Sequence, residues 1–153
     1  MKHLLIVYHT QSGNTGRLAA AVRAGATSEL VDDVEVRYLL VREAAAEDLL
    51  WADGLLLGTP ENFGYMSGAM KDFFDRTFYS VEGRILSLPY AVFISAGNDG
   101  TGALNAIRRI ANGYPFKEVQ DPVIAKGELT DEHLASAHDL GLALAAGLEA
   151  NVF

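Results

Sequence analysis

The sequence predicts an α/β domain built on an open, doubly wound parallel sheet. Short apolar runs with strand character alternate along the chain with segments of helical periodicity, and this alternation is typical of parallel strands covered on both faces. The chain has 153 residues, of which 50% are hydrophobic and 21% are charged. These values are typical of one globular domain, which we expect to span residues 1–153.

The first three predicted elements are a strand, a helix and a second strand. LLIVY at residues 4–8 is a continuous apolar run, which predicts a strand buried on both faces. Residues 15–25 repeat apolar side chains at a spacing of 3.6 residues and are predicted to form the first helix. VEVRYLL at residues 34–40 alternates apolar and polar side chains, so we expect a strand at an edge of the sheet.

The middle of the chain predicts a short helix, a buried strand and a longer helix. Residues 43–50 have helical character, and GLLLG at residues 54–58 forms the third predicted strand. Residues 66–77 are predicted to form the next helix, with Ser67 as a candidate N-cap. The irregular, glycine-containing segment before this helix is predicted to be a loop.

The last third of the chain completes the alternation. LPYAVFIS at residues 88–95 predicts the fourth strand, and a helix follows over 102–111. A short fifth strand is predicted within residues 122–129, PVIAKGEL. Thr130 and His133 have the spacing of a capped helix start, and the long last helix begins there.

Five strand–helix units in a chain of this length fit a five-stranded sheet with the order 2-1-3-4-5. Right-handed crossovers would place the first strand near the centre of this sheet, at the point where the strand order reverses. Ligands of open α/β sheets bind at the carboxyl ends of the strands around this point. The loops after the first, third and fourth strands are therefore the candidate ligand loops.

The overall charge and the absence of cysteine exclude several classes of function. The formal net charge is −8, which argues against nucleic acid or an anionic membrane as a partner. A chain without cysteine has no disulfide, no thiolate metal site and no cysteine nucleophile. The apolar run at the start is too short for a signal peptide, and no stretch of 18 apolar residues exists, so we expect a cytoplasmic protein.

The loop after the first strand, HTQSGNTGR at residues 9–17, has the composition of an anion site. It would surround the start of the first helix, where free N–H groups and the helix dipole favour a negative charge. No lysine or arginine precedes Arg17, which favours a monophosphate held by neutral donors. The loop lacks the GK[ST] ending of a triphosphate loop and the acidic residues of a phosphoacceptor site. A capped turn that holds no ligand remains the alternative.

The two other candidate loops have different compositions. Residues 58–65, GTPENFGY, combine acceptors and amides with two aromatic side chains that could pack on a planar ring. Residues 95–102, SAGNDGTG, are rich in glycine and contain no aromatic side chain. Such a loop lets a ligand approach the backbone closely and leaves one ring face uncovered.

Two of these segments resemble motifs of a known family. T-x-S-G-N-T at residues 10–15 resembles the phosphate loop of the flavodoxin-like superfamily. The segment 58–77 resembles the second flavin loop and the following helix of its NAD(P)H-dependent branch, which includes FMN reductases and quinone reductases of the tryptophan-repressor-binding-protein type. The resemblance implies a flavodoxin-like fold of three layers that binds FMN.

The resemblance also implies which residues bind the cofactor. The FMN phosphate would be held by Thr10, Gln11, Ser12, Gly13, Asn14 and Thr15. The isoalloxazine would be lined by Pro60, Glu61, Asn62, Phe63 and Gly64. The ribityl chain or the pyrimidine edge would be bordered by Ser95, Ala96, Gly97, Asn98 and Asp99.

The function predicted from the resemblance is that of an NAD(P)H-dependent oxidoreductase. NADPH or NADH would be the electron donor, and a quinone, a free flavin or a similar small molecule would be the acceptor. Because the cofactor carries the chemistry, no catalytic side chain and no metal are assigned. A flavodoxin-type one-electron carrier is the alternative. The alanine- and leucine-rich last helix is explained by core packing, with a homodimer interface as a second use.

Overall fold

A sheet of seven strands forms the middle layer of the protein. The computed structural model describes residues 1–153. The strands are β1 (Lys2–Tyr8), β2 (Val34–Leu40), β3 (Gly54–Asn62), β4 (Tyr65–Met66), β5 (Leu88–Ala96), β6 (Phe116–Glu118) and β7 (Val123–Lys126). The helices are α1 (Asn14–Ala26), α2 (Ala46–Trp51), α3 (Gly68–Val81), α4 (Thr101–Ala111) and α5 (Asp131–Glu149), with one 3₁₀ turn at Val41–Glu43.

The sheet is parallel except at one short strand, as predicted for a doubly wound α/β fold. Its order is β2-β1-β3-β5-β6; β7 also pairs with β5, and β4 pairs antiparallel with β3. The predicted edge position of the second strand is confirmed. The loops that follow β1, β3 and β5 consequently open at the same end of the sheet.

The prediction of five strands in the order 2-1-3-4-5 was wrong in the strand count. The fifth position is shared by two strands, because β6 pairs with the first residues of β5, from Leu88, and β7 pairs with its last residues, from Phe93. The break between β6 and β7 contains Pro122, which has no N–H to donate to a ladder.

The remaining extra strand, β4, exists because the chain reverses directly after β3. Phe63 and Gly64 both have positive φ, at 52° and 70°, so a two-residue turn joins β3 to β4. The segment predicted as a loop from residue 58 is therefore largely strand, since β3 continues to Asn62.

The two helical layers cover opposite faces of the sheet. Leu4 and Ile6 of β1 pack into the cluster that contains α1 and α5. Leu5 and Val7 pack into the cluster that contains α3 and α4, as expected for alternating side chains of a strand buried on both faces. None of the helices is long and apolar enough to cross a membrane.

Helices α1 and α5 approach each other through glycines. A Cβ on Gly25 would lie 1.9 Å from the carbonyl oxygen of His138, and one on Gly141 would lie 1.9 Å from that of Val22. Two backbones this close leave no room for side chains at the crossing.

Two predicted helix caps are confirmed, and two predicted helices differ from the structure by more than one residue at an end. The helix predicted over residues 43–50 is α2, Ala46–Trp51, because Glu43 belongs to the preceding 3₁₀ turn. The N–H of Met70 donates to the Ser67 Oγ at 3.2 Å, and the N–H of His133 donates to the Thr130 Oγ1 at 3.2 Å. Because Ser67 is the cap, α3 begins at Gly68 and not at residue 66, and it continues to Val81 instead of ending at residue 77.

Candidate functional site

A cleft of about 510 Å³ opens at the carboxyl ends of the parallel strands. Its size is in the range of small-molecule sites. It is lined by Gln11, Ser12, Asn14, Pro60, Glu61, Asn62, Ser95, Ala96, Gly97, Gly127 and Glu128. The three loops singled out in the sequence thus contribute to one cavity.

Most, but not all, of the residues proposed for cofactor binding line this cleft. Those outside its lining are Thr10, Gly13, Thr15, Phe63, Gly64, Asn98 and Asp99. Gly127 and Glu128, which follow β7, line the cleft but were missed from the sequence. The signal for them was available, because a loop after a fifth parallel strand opens at the same edge of the sheet.

The start of α1 differs from the starts of the other long helices. The first turns of α3 and α5 donate to the hydroxyl groups of Ser67 and Thr130. The first turn of α4 donates to the carboxylate of Glu61. Helix α1 follows Gly13, whose φ is 105°, and no side chain caps it. Its free N–H groups and positive dipole end are therefore available to an anion.

Two buried polar atoms without partners belong to the loop between β1 and this helix. They are the Oγ1 of Thr10 and the Nδ1 of His9. The Thr10 side chain lies over the first turn of α1, since a Cβ on Gly16 would be 3.4 Å from Thr10 Oγ1. Burial lowers the pKa of His9, which favours its neutral form. A buried hydroxyl group without a partner is uncommon, and a phosphate oxygen is an acceptor that would satisfy it.

Hydrogen bonds connect the three loops in pairs. The Oγ1 of Thr15 and the Oγ of Ser95 are 2.6 Å apart and buried, which joins the loop after β1 to the end of β5. The Nδ2 of Asn62 donates to the Oε1 of Gln11 at 2.9 Å, which joins the loop after β1 to the end of β3. Glu61 joins β3 to α4. These hydrogen bonds within the protein fix the positions of the three loops relative to one another.

The aromatic side chains of the three loops belong to the segment around the β3–β4 turn, and neither of them is part of the cleft lining. Phe63 is fully exposed in a left-handed conformation, with φ of 52°, and Tyr65 is 41% exposed. A bulky residue in this conformation is strained, and such strain is concentrated at functional positions. On the other side, the exposed Gly97, Asn98 and Asp99 provide no aromatic surface.

The charges along the cleft are negative, and no lysine or arginine is among its lining residues. Glu61 and Glu128 are the charged members of the lining. Attraction of an anion must therefore come from the start of α1 and from neutral donors. No group of three or more histidine, aspartate or glutamate side chains is placed to hold a metal ion.

Comparisons with known proteins agree with this architecture. The family model described as NADPH-dependent FMN reductase matches residues 1–130. A flavodoxin of Aquifex aeolicus is 42% identical over 102 residues, which is 67% of this chain and 54% of that protein. An NAD(P)H dehydrogenase (quinone) of Acidithiobacillus ferrooxidans is 31% identical over 121 residues, which is 67% of this chain and 60% of that protein. The chain thus matches little more than half the length of these relatives.

A solved structure supports the fold over nearly the whole chain. A flavodoxin from the domain Archaea superposes with a TM-score of 0.80 at 23% identity, covering 95% of this chain and 98% of that one. With the family model matching residues 1–130 of 153, the chain has a flavodoxin-like fold and belongs to the NADPH-dependent FMN reductase family.

Proposed function

We propose that the chain is an NAD(P)H-dependent oxidoreductase that holds FMN in the cleft and delivers reducing equivalents to a small acceptor. The observation that carries this proposal is the uncapped start of α1, where Asn14 lines the cleft and the unpartnered Oγ1 of Thr10 lies against the first turn of the helix. Bound FMN would supply the redox chemistry, by accepting a hydride from NADPH or NADH and passing electrons to a quinone or a free flavin.

The phosphate end of the cofactor is assigned to residues 10–15. Ser12 and Asn14 line the cleft, and Gly13 allows the backbone to turn into the helix. Thr15 is buried with its hydroxyl group against Ser95, and its backbone N–H belongs to the uncapped first turn of α1. Together with Thr10, these groups provide neutral donors, and the dipole of α1 provides the positive field.

The ring is assigned to the space between residues 60–64 and residues 95–99. Pro60 and Asn62 line one wall, and Ala96 and Gly97 line the other. The exposed backbone at Gly97 can offer hydrogen bonds to the edge of a planar heterocycle. Phe63 follows Asn62 directly and is the aromatic residue that we assign to the first side, although its side chain is fully exposed and outside the cleft lining.

The open wall supports an enzyme that exchanges hydride with small molecules. Residues 97–99 are exposed and carry no aromatic side chain, so they leave room for a nicotinamide to stack on a bound ring. Hydride transfer needs such face-to-face contact between donor and acceptor. Because the chemistry belongs to the cofactor, the protein's contribution is to position the two rings and to bind the phosphate.

A flavodoxin-type electron carrier is the second candidate. It is favoured by the 42% identity to a protein named flavodoxin, the highest among the relatives given above. The quinone acceptor is suggested instead by the name of the Acidithiobacillus relative. Reaction with reduced nicotinamide nucleotides separates the two candidates, because a carrier requires a partner protein for its reduction.

The first experiment is a titration of the purified protein with FMN and, in parallel, with riboflavin. We expect saturable binding of FMN, and weaker binding of riboflavin because it lacks the phosphate. The holoprotein is then mixed anaerobically with NADPH or NADH, with free FMN at the same concentration as control. Loss of the visible flavin absorbance faster than in the control, and its return on adding a quinone, is the expected result.

Two results would contradict this function. A protein that does not bind FMN at micromolar concentration is no flavoprotein of the proposed kind. A holoprotein that neither nucleotide reduces faster than free FMN would be a carrier and not a reductase.

We also propose that the protein can form a homodimer, which gel filtration or ultracentrifugation would test. The apolar residues Ala137, Leu140 and Leu144 of α5 are already buried within one chain, so an interface on this helix would have to use its other side chains.

A further inference from the structure

The carboxylate of Glu61 caps a helix that begins far along the chain. Its Oε1 accepts from the N–H of Gly100 at 3.0 Å, and its Oε2 accepts from the N–H of Ala103 at 3.0 Å. Helix α4 has no N-cap side chain of its own, because the cap position is Gly100 with φ of 94°. Both carboxylate oxygens of Glu61 are therefore directed at the start of α4, although the residue also lines the cleft.

A second contact, between backbones, joins the same two segments. A Cβ on Gly102 would lie 2.1 Å from the carbonyl oxygen of Gly64. The turn at residues 63–64 is thus pressed against the first turn of α4 at a position where only glycine fits. Glu61 pairs with Met66 across the β3–β4 hairpin, so the carboxylate and the turn belong to one short, hydrogen-bonded unit.

This arrangement fixes the distance between the two walls of the cleft. Glu61 belongs to the wall formed by residues 60–64, and Gly100 ends the wall formed by residues 95–99. The hydrogen bonds across them are charge-assisted and partly buried, which makes them stronger than bonds between neutral groups. The same carboxylate neutralises the dipole of α4, so the start of α1 is left as the uncapped helix end beside the cleft.

We propose that Glu61 is a positioning residue that sets the spacing of the two ring-binding walls through α4, and that its carboxylate does not bind the flavin itself. The proposal rests on the proposed FMN site. It assigns the side chain a different role from the one implied by family resemblance, in which Glu61 lines the isoalloxazine. A ring that fits between the walls would bind less well once the contact is removed, whether or not it carries a phosphate.

The test compares Glu61→Ala and Glu61→Gln with the control Glu128→Ala. Glu128 lines the same cleft with an exposed side chain and makes no hydrogen bond to α4. The first measurement is amide hydrogen exchange of Gly100 and Ala103 in the FMN-free protein. We expect exchange to accelerate roughly tenfold or more in Glu61→Ala, less in Glu61→Gln, which keeps one acceptor oxygen, and not at all in Glu128→Ala.

The second measurement is the dissociation constant of FMN and of riboflavin, with the visible circular dichroism of each complex. Glu61→Ala should raise both constants by a similar factor, roughly tenfold, and should alter the dichroism of the bound ring. A cap with a merely structural role would lower the stability of the protein without changing either quantity in the folded state. Gly102→Ala disturbs the second contact, between the first turn of α4 and Gly64, and should likewise weaken both flavins by a similar factor.

The outcomes separate the capping contact, the positioning role and the proposed function from one another. Unchanged exchange at Gly100 and Ala103 in Glu61→Ala would overturn the capping contact. Faster exchange with unchanged riboflavin binding would overturn the positioning role. A wild-type protein that binds neither flavin would refute the proposed function instead, and the exchange measurement would still test the contact by itself.

Discussion

Substitution of Thr10 by valine should affect stability and cofactor binding in opposite directions. Valine has nearly the shape of threonine but replaces the Oγ1, which is buried and has no hydrogen-bond partner within the protein. Removing a buried polar group that has no partner removes its desolvation cost. The substitution Thr10→Val should therefore leave the FMN-free protein at least as stable as the wild type.

The expected magnitudes follow from the same hydroxyl group. A buried, unsatisfied donor costs about 1–3 kcal/mol, so the free energy of unfolding of the FMN-free variant should rise by about 1 kcal/mol or more. A hydrogen bond to a charged phosphate contributes about 1.5–3 kcal/mol. Its loss should raise the dissociation constant of FMN about 10- to 150-fold, while the constant of riboflavin should not change.

The assay combines urea unfolding of the FMN-free proteins with fluorescence titrations of both flavins. Thr10→Ser serves as the control, because it keeps the hydroxyl group and should bind FMN nearly as the wild type does. Wild-type affinity of Thr10→Val for FMN, or an equal loss of affinity for riboflavin and FMN, would refute a hydrogen bond from Thr10 to the phosphate. A clear loss of stability in the FMN-free variant would show that the hydroxyl group has a partner within the protein.

Three further predictions concern the framework around the site. Gly141→Ala places a Cβ 1.9 Å from the Val22 carbonyl oxygen and should lower the free energy of unfolding in urea by about 1–3 kcal/mol. The control Gly68→Ala, whose Cβ would have nothing within 4 Å, should change it by less than about 0.5 kcal/mol. Equal losses of stability in the two variants would contradict the close crossing of α1 and α5. Burial raises the pKa of Tyr114 from 10.0 to about 12. Its contribution to stability should therefore be complete below pH 10 and should be lost as the pH rises towards 12. If the free energy of unfolding of Tyr114→Phe falls with alkaline pH as steeply as that of the wild type, Tyr114 is not the cause. Burial lowers the pKa of His9 from its ordinary value of 6.5. The contribution of His9 to stability should therefore be complete above pH 6.5 and should be lost on acidification, so the free energy of unfolding should fall less in His9→Gln. Identical pH profiles of the two proteins would rule out this residue as the cause.

Local patterns in the sequence were sufficient for most elements of the fold. The second strand was predicted at the observed residues, Val34–Leu40, because strand alternation is a property of neighbouring residues. The caps at Ser67 and Thr130 were predicted for the same reason, since a cap and its helix are adjacent in the chain. The fifth predicted strand is confirmed as β7, whereas β4 and β6 were missed, because pairing with β3 and β5 decides that these short segments are strands.

The candidate site was predictable as a set of loops but not as a set of contacts. Parallel topology requires the loops after β1, β3 and β5 to meet, so the compositions of the three loops together indicate a single site. The direction of individual side chains was not accessible in this way. Thr15, expected at the phosphate, has its hydroxyl group against Ser95, and Phe63, expected at the ring, is fully exposed at the tip of a hairpin.

The sequence by itself determined the α/β layering, the ends of several helices and three of the four loops that line the cleft. These features depend on periodicity, on turn residues and on the handedness of crossovers, all of which act over short distances along the chain. Only the tertiary structure decided that Glu61 caps α4, which begins about 40 residues later, while the start of α1 is left without a cap. Hydrogen bonds between distant segments depend on how the layers pack, and no local pattern encodes that packing.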